Sequence, residues 1–282
     1  MSLNSVESYE DLIIDQKWDD YTAHDHSTWS GLINRLQTSM HGRMCDEYIA
    51  GFNELGLPKD RVVRFEELAD TLGSKTGWEY VAVNGFLEPH DFFKLLANRK
   101  FPANRYMRNP AEQSYQELPD VFHDVIGHAP LLMDPVMADF MQSFGQAGNL
   151  CKTEAKRTML ARLYWFTVEV GLMKVNNQMR AYGAAIASSD KELEFALESH
   201  SPNRLGFSIE RVFRTPYNMY DLQETYFVTT GLNDMLKLAE NGFACVFNAQ
   251  DPLGDIERGK RISTDLVISA GDHSYHDAKL AA

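Results

Sequence analysis

The sequence lacks the features that mark secreted proteins and nucleic-acid-binding proteins. Its 282 residues include only three cysteines, an odd number with no CxxC pair, so neither a disulfide framework nor a zinc ribbon is indicated. Basic residues are outnumbered 27 to 40 by acidic ones, and the net charge of -13 would repel a phosphate backbone or an anionic membrane surface. We therefore expect a cytoplasmic protein with no nucleic-acid partner.

Long apolar runs, a basic leader and flexible linkers are also missing. The first ten residues are polar and no later stretch reaches the length needed to cross a bilayer, so we expect no membrane partner. Repeats and Pro/Gly/Ser-rich linkers are absent from the sequence. It therefore predicts a catalytic unit at residues 21–250, an N-terminal extension at 1–20 and a loosely attached C-terminal tail at 251–282.

The composition, 44% hydrophobic and 11% aromatic, provides for a large core, and its periodicity is mainly helical. Apolar residues spaced three or four apart predict helices at 27–52, 65–72, 91–98, 135–151, 153–173, 191–198 and 232–241. Strand-like alternation is limited to residues 78–83, 219–222 and 225–229. The predicted fold class is mainly α, an α+β arrangement with few short strands.

Two histidines, His123 and His128, lie five residues apart in an apolar context, and imidazole suits iron, zinc and copper. On an ideal α-helix this spacing leaves the two side chains about 140° apart, so a shared metal requires local distortion. A helix that ends near Gly127, before Pro130, would free His128 to turn back toward the metal. The alternative is two ordinary histidines, one in the core and one at the surface.

Glu169 lies in the most apolar helical stretch of the chain, and a buried carboxylate there needs a cation. Arg162 is a poor partner because seven residues place it two turns away. Two histidines and one carboxylate form the facial triad of ferrous oxygenases. A zinc hydrolase with the same ligands would need a general base, and HExxH is absent. A non-catalytic helical protein with structural histidines is the third alternative.

The residues around these ligands form an ordered set of motifs. They are Asp91-Phe92, Arg105-Tyr106-x-Arg108, Pro119-Asp120, His123-Asp124-x-x-Gly127-His128, Tyr164-Trp165-Phe166-Thr167-Val168-Glu169 and Ala181-Tyr182-Gly183-Ala184-x-x-x-Ser188-Ser189. In order and spacing the chain resembles, from about Tyr21 to Ala239, the catalytic domain of the pterin-dependent aromatic amino acid hydroxylases. The resemblance implies that family's catalytic-domain fold, with Fe(2+) held by the two histidines and Glu169.

The resemblance also implies roles for the substrate-binding residues. Arg108 would hold the amino acid carboxylate as a bidentate fork fixed by Asp120, Pro119 and Trp165 would flank the ring, and Ser188 would lie near the ligand histidine or the substrate. Taken alone, Arg108 would be read as a surface arginine and Trp165 as core packing.

A tetrahydropterin would stack on Phe92, with Gly85, Leu87, Asp124 and Tyr164 completing its pocket, and dioxygen would be the co-substrate. In isolation, Phe92 would be a core aromatic and Asp124 a first-turn helix acid. The implied reaction is ring hydroxylation of an aromatic amino acid, with L-phenylalanine to L-tyrosine as first choice. Tryptophan 5-hydroxylation and phenylalanine 3-hydroxylation are the alternatives.

Three positions depart from the family pattern: Leu118 stands where an acid normally precedes Pro119, Val170 where a Phe is usual, and Ala185 where a Gly is usual. We expect all three near the substrate, where they bear on which ring fits more than on the metal or pterin. We expect no regulatory domain before the helical pattern and no long heptad helix after it, and therefore a monomer or weak dimer.

Overall fold

The computed structural model describes residues 8–85, 87–109, 119–250 and 254–281. Its helices are α1 Ala23–Met40, α2 Asp46–Leu55, α3 Phe65–Thr76, α4 Pro89–Ala97, α5 Ala129–Leu132, α6 Pro135–Leu150, α7 Glu154–Tyr164, α8 Ala184–Ala187, α9 Asp190–Glu198, α10 Ile209–Phe213, α11 Asn233–Phe247 and α12 Ser274–Leu280. Its strands are β1 Glu79–Val83, β2 Lys100–Asn104, β3 Leu172–Val175, β4 Gln178–Ala181, β5 Asn203–Gly206, β6 Thr225–Thr229 and β7 Val267–Ser269. The predicted mainly α class is confirmed.

The helix predicted over residues 27–52 is wrong, because the chain forms two helices with a break between them. A capping box between Thr22 and Asp25 starts α1 and satisfies backbone donors at its N-terminus. After Met40 the backbone bonds to the end of β4 instead: Cys45 N–H donates to the Ala181 carbonyl at 2.9 Å, and Ala181 N–H donates to the Arg43 carbonyl at 2.8 Å. Apolar spacing continues through the break because both helices bury the same side of the chain.

The strands form two small sheets. β1 and β2 are parallel neighbours, and the larger sheet has the order β4-β3-β6-β5-β7. The strand predicted at 225–229 is confirmed as β6, whereas residues 219–222 form a turn. The tail is not loosely attached as expected, since β7 pairs antiparallel with β5. No helix in the described ranges is long and apolar enough to span a membrane.

Close helix packing sets the position of the aromatic residues of α4. Gly145 of α6 meets the end of α4 so closely that a Cβ on it would lie 2.1 Å from Ala97 N. Gly148, one turn further along, lies against the ring of Phe93. These contacts hold α4 with Phe92 and Phe93 beside a central cavity.

Candidate metal centre and substrate cavity

The two predicted histidine ligands lie in a π-helical turn, His123–His128, that continues directly into α5. The expectation that the helix ends near Gly127 is therefore wrong. A π-helix closes its hydrogen bonds between residues five apart, so residues at that spacing stack on one face. Gly127 permits this turn to pack closely, because a Cβ there would lie 2.8 Å from the Ala184 carbonyl oxygen.

Glu169 ends a second π-helical turn, Trp165–Glu169, which follows α7. The Val170 N–H donates to the Trp165 carbonyl at 2.9 Å, a bond across five residues. The helix predicted over 153–173 is thus wrong at its C-terminal end, where this turn and then β3 replace it. Arg162 bonds to Asp255 at 2.7 Å and donates to the Phe213 carbonyl at 2.6 Å, so its recorded partners do not include Glu169.

The side chains of His123, His128 and Glu169 meet in space. His123 Nε2 lies 3.7 Å from Glu169 Oε2, and His128 Nε2 lies 3.4 Å from Glu169 Oε1. One donor atom from each of the three residues lies within 4.8 Å of the others. Metal–ligand bonds of about 2.0–2.2 Å place neighbouring donors roughly 3–3.5 Å apart, so the cluster has the dimensions of a three-ligand metal site.

Electrostatics also favour a metal over histidine–glutamate ion pairs. Burial lowers the pKa of His123 to about 4 and that of His128 well below its usual range. Burial, with the nearby Glu192 carboxylate, raises the pKa of Glu169 to about 8. No member of the cluster can therefore supply a positive charge to another, whereas a divalent cation would accept neutral imidazoles and stabilise the carboxylate.

Outer contacts orient His123. Its Nδ1 lies 2.8 Å from Ser188 Oγ, and its backbone N–H donates to Asp120 Oδ1 at 2.9 Å. With Nε2 facing Glu169, we assign the Nδ1–H as the donor to Ser188, the kind of contact that fixes ring orientation in metal-bound histidines. The second ligand, His128, packs on the ring of Phe101 at 4.6 Å.

Arg108 and Asp120 form a buried ion pair beside this cluster. Arg108 Nε and Nη2 donate to the two Asp120 oxygens at 2.8 and 2.7 Å, and the Arg108 backbone N–H donates to Asp120 Oδ2 at 2.9 Å. The pair uses two of the five guanidinium N–H donors, and Arg108 also lines the cavity. The surface reading of this arginine is wrong, since its side chain is 3% exposed.

A cavity of about 310 Å³ joins these groups, the size of a site for a small organic molecule. Twelve of the thirteen predicted site residues line it, namely Gly85, Leu87, Phe92, Arg108, Pro119, His123, Asp124, His128, Tyr164, Trp165, Glu169 and Ser188. Asp120 is fully buried behind Arg108. The cavity therefore gathers residues that the sequence spreads over more than a hundred positions.

The predicted pterin-side residues occupy one part of this wall. Phe92 meets Tyr164 edge-on, with ring centroids 5.7 Å apart. Asp124 Oδ2 accepts a hydrogen bond from the Asn104 backbone N–H at 2.7 Å, and burial raises the pKa of Asp124 well above its usual range. An aromatic face beside a buried polar carboxyl suits a flat heterocycle with N–H groups.

Two of the three departures from the family pattern lie within the described residues. Ala185 lines the cavity, whereas Val170 is fully buried and does not line it; Leu118 lies outside the described residues. Tyr217 and Glu192 also line the cavity and were missed by the sequence analysis. No local pattern marks them, because only the fold brings them to the site.

Two histidines and a glutamate at an aromatic cavity form the donor set that mononuclear non-haem iron oxygenases use. Residues 17–248 match the model of the family described as biopterin-dependent aromatic amino acid hydroxylase. The chain therefore belongs to this family, as its motifs predicted.

Similar proteins agree with this assignment. The chain is 41% identical to phenylalanine-4-hydroxylase of Caulobacter vibrioides over 95% of its own length and 91% of the relative's. It is 42% identical to phenylalanine-4-hydroxylase of Ralstonia nicotianae over 93% and 83% of the two lengths. The crystal structure of Chromobacterium violaceum phenylalanine hydroxylase with iron(III) and 7,8-dihydrobiopterin superposes with a TM-score of 0.86, at 40% identity and 92% and 93% coverage. A crystal structure of that enzyme with bound iron and phenylalanine superposes with a TM-score of 0.85, at 40% identity over 92% of this chain and 94% of the other.

Proposed function

We propose that this protein is an iron- and tetrahydropterin-dependent monooxygenase that converts L-phenylalanine to L-tyrosine. The observation that carries the proposal is the meeting of His123, His128 and Glu169 at a cavity that also holds the Arg108 guanidinium. The reaction agrees with the names of relatives about 40% identical over most of the chain. The cavity is also lined by Asn104, Glu192 and Tyr217, which the motifs did not indicate.

His123, His128 and Glu169 would hold Fe(2+). Three protein ligands leave coordination positions open for small molecules. Iron and a reduced pterin together supply the electrons with which dioxygen is activated toward an aromatic ring. The Ser188 hydroxyl keeps His123 oriented toward the cluster.

Arg108 would bind the carboxylate of the amino acid substrate. Asp120 holds the guanidinium plane from behind, so the arginine is preorganised and loses little freedom on binding. The substrate ring would lie between Trp165, Pro119 and His123. Enclosing the ring in this space would exclude water and hold one ring carbon toward the iron site.

The reduced pterin would lie on Phe92, near Gly85 and Leu87. Tyr164 and Asp124 complete this wall. The Asp124 carboxyl group can accept a hydrogen bond from a ring N–H or, in its protonated form, donate one. The positions of Phe92 and the Asp124 carboxyl would together set the depth and orientation of the pterin.

The test is an activity assay on protein purified without oxygen and loaded with Fe(2+). It is mixed with tetrahydrobiopterin and, separately, phenylalanine, tryptophan or tyrosine, and products are identified by mass and retention. We expect para-tyrosine from phenylalanine, formed only when iron, pterin and oxygen are all present. meta-Tyrosine would favour 3-hydroxylation, 5-hydroxytryptophan the tryptophan alternative, and absence of any hydroxylated product would reject the proposal.

We further propose that the protein is cytoplasmic and a monomer or weak dimer, with no nucleic-acid or membrane partner. The three cysteines are free among the described residues, and the charge of -13 supports the absence of an anionic polymer partner. Light scattering after size-exclusion chromatography, over a range of protein concentrations, tests the oligomeric state. A concentration-independent tetramer would contradict it.

A further inference from the structure

One wall of the cavity is an irregular loop, residues 214–224, which contains no helix or strand; we call it the wall loop. Tyr217 of this loop stacks on Trp165, with ring centroids 4.6 Å apart and planes at 11°. Both rings line the cavity. The position of the loop therefore decides where this aromatic pair stands.

Gln223 ties the wall loop to Trp165. Its Oε1 accepts a hydrogen bond from Trp165 Nε1 at 3.1 Å, and its Nε2 donates to the Asn218 and Asp221 carbonyls, each at 2.7 Å. The Trp165 side chain is partly buried and its partner Gln223 is buried, and an indole N–H in such a place usually keeps its partner. A displacement of the loop thus carries Trp165 and Tyr217 with it.

The far side of the wall loop is held by the C-terminal segment, residues 271–279. Tyr275 OH donates to Asp221 Oδ1 at 3.0 Å, and Lys279 Nζ lies 2.7 Å from Asp221 Oδ2. His276 Nε2 donates to the Leu222 carbonyl at 2.8 Å. These three contacts meet the loop one and two residues before Gln223.

The C-terminal segment is itself fixed to the core of the larger sheet. The Asp272 and His273 N–H groups donate to the His200 and Ser201 carbonyls, each at 3.0 Å, just before β5. Gly271 packs so tightly here that a Cβ on it would lie 2.4 Å from the Ser201 carbonyl oxygen. The segment lies beyond the residues 17–248 matched by the family model, so the family pattern does not account for it.

We propose that the C-terminal segment is a positioning element for the amino acid substrate, because it holds the wall loop and thereby the Trp165–Tyr217 pair. Tyr275 and Lys279 are its positioning residues, and Asp221 is the residue of the wall loop that they hold. The inference rests on the proposed function, since that function places the substrate ring beside Trp165. The pterin side of the cavity, around Phe92, receives none of these contacts.

The test variant is Tyr275→Phe with Lys279→Met, which removes both side-chain contacts to Asp221 and keeps the Tyr275 ring packed on Phe195. We expect the KM for phenylalanine to rise about tenfold, the order expected for one or two lost hydrogen bonds, while the KM for the pterin stays unchanged. Hydrogen exchange of peptides covering residues 214–224 should become faster. The conservative variant, Tyr275→Phe with Lys279→Arg, preserves the ion pair to Asp221 and should return the KM for phenylalanine and the exchange rate of the loop toward the parental values.

The matched control is Lys237→Met, which removes an exposed Lys–Asp pair of similar length, 2.8 Å to Asp234, away from the wall loop. It should change neither the KM for phenylalanine nor exchange in the loop. Gly271→Ala is a second variant that displaces the segment from β5. It should act in the same direction as the double substitution if circular dichroism shows it folded; if it does not fold, the double substitution alone decides.

The outcomes separate the two proposals. If the unsubstituted protein forms no tyrosine, the proposed function fails, and loop exchange still reports whether the segment holds the loop. If tyrosine forms but the double variant keeps the parental KM for phenylalanine, the positioning role is overturned even where exchange is faster. Equal rises in KM for phenylalanine and pterin would also overturn it, because they indicate general loosening.

Discussion

The Arg108–Asp120 pair allows the sharpest quantitative prediction, because both side chains are almost completely buried. Their exposed fractions are 3% and 0%. Breaking a buried pair by neutralising one partner leaves an uncompensated charge and costs about 3–5 kcal/mol, whereas removing both charges together is often close to neutral. We therefore expect Arg108→Met and Asp120→Asn to destabilise the protein by about 3–5 kcal/mol each.

The double variant should be much less destabilised than the sum of the two single variants. Asparagine at position 120 keeps one oxygen, which can accept the His123 backbone N–H, now bonded at 2.9 Å. The residue 108 backbone N–H, now bonded to the other oxygen, loses its acceptor in both variants that carry Asp120→Asn, so that cost cancels in the coupling free energy. A coupling free energy of at least about 2 kcal/mol follows from the cost of the unpaired charges. Each substitution should reduce the destabilisation caused by the other, because it removes the charge that the other leaves unpaired.

The assay is urea unfolding of the parent, both single variants and the double variant, all with a chelator present so that metal loss does not enter. If the two substitutions add to within about 0.5 kcal/mol, as independent sites do, the reasoning is refuted. Activity gives a second reading. Asp120→Asn should raise the KM for phenylalanine, because Asp120 holds the guanidinium that would bind the substrate carboxylate.

Three further predictions concern the metal site and the cavity. Ser188→Ala should weaken iron affinity by about 10–100-fold, the usual effect of losing an outer contact to a metal-binding histidine. Ser143→Ala is the control, because Ser143 bonds to a helix carbonyl at the surface, and it should leave the affinity unchanged. Equal iron affinities of the two variants in titrations would contradict the prediction. Gly183→Ala should lower iron occupancy, because the new Cβ would lie 2.4 Å from the Glu169 backbone oxygen. Metal analysis checks this, with Gly73→Ala as the control, since a Cβ at Gly73 meets nothing nearer than 3.9 Å. Burial raises the pKa of Glu192 from 4.5 to about 7. Between these pH values the folded protein keeps a proton that the unfolded chain has lost. The contribution of Glu192 to the free energy of unfolding therefore falls as the pH rises from about 4.5 to about 7. Glu192→Gln should therefore be more favourable relative to the parent at pH 7.5 than at pH 5 in metal-free urea unfolding, and the same difference at both pH values would count against the shift.

The sequence predicts the elements whose period is strong and whose ends carry a signal. The ranges of α3, α4, α6 and α9 are close to those predicted. Pro135 is the first residue of α6, Ser189 caps the start of α9, and Gly77 ends α3 in the left-handed region. Helix breaks made by tertiary hydrogen bonds carry no such signal. The break between α1 and α2 depends on β4, which lies some 140 positions further along the chain, so periodicity could not locate it.

The C-terminal tail, residues 251–282, is a second region whose structure the sequence could not predict. Its clustered charged residues suggest a solvated segment, yet β7 pairs with β5 and Arg211 bonds to Asp265 at 2.9 Å within the buried interior. A charged residue is buried where a partner of opposite charge is supplied by the fold. Composition records the charge and cannot record the partner.

The predicted metal ligands His123 and His128 show most clearly what a spacing can and cannot decide. A separation of five excludes an ideal α-helix for two ligands of one ion, and this exclusion follows from the sequence alone. It leaves two solutions, a helix that ends between the ligands and a π-helical turn that brings residues five apart onto one face. Gly127 and Pro130 favour the first solution locally. The fold takes the second. Gly127 packs on the Ala184 carbonyl, and the Ile126 carbonyl, four residues before Pro130, accepts a hydrogen bond from the buried Tyr48 hydroxyl at 2.7 Å in place of the N–H that Pro130 lacks. Residues that look like a helix stop therefore lie within a continuous helical run, where close packing and a tertiary hydrogen bond accommodate them.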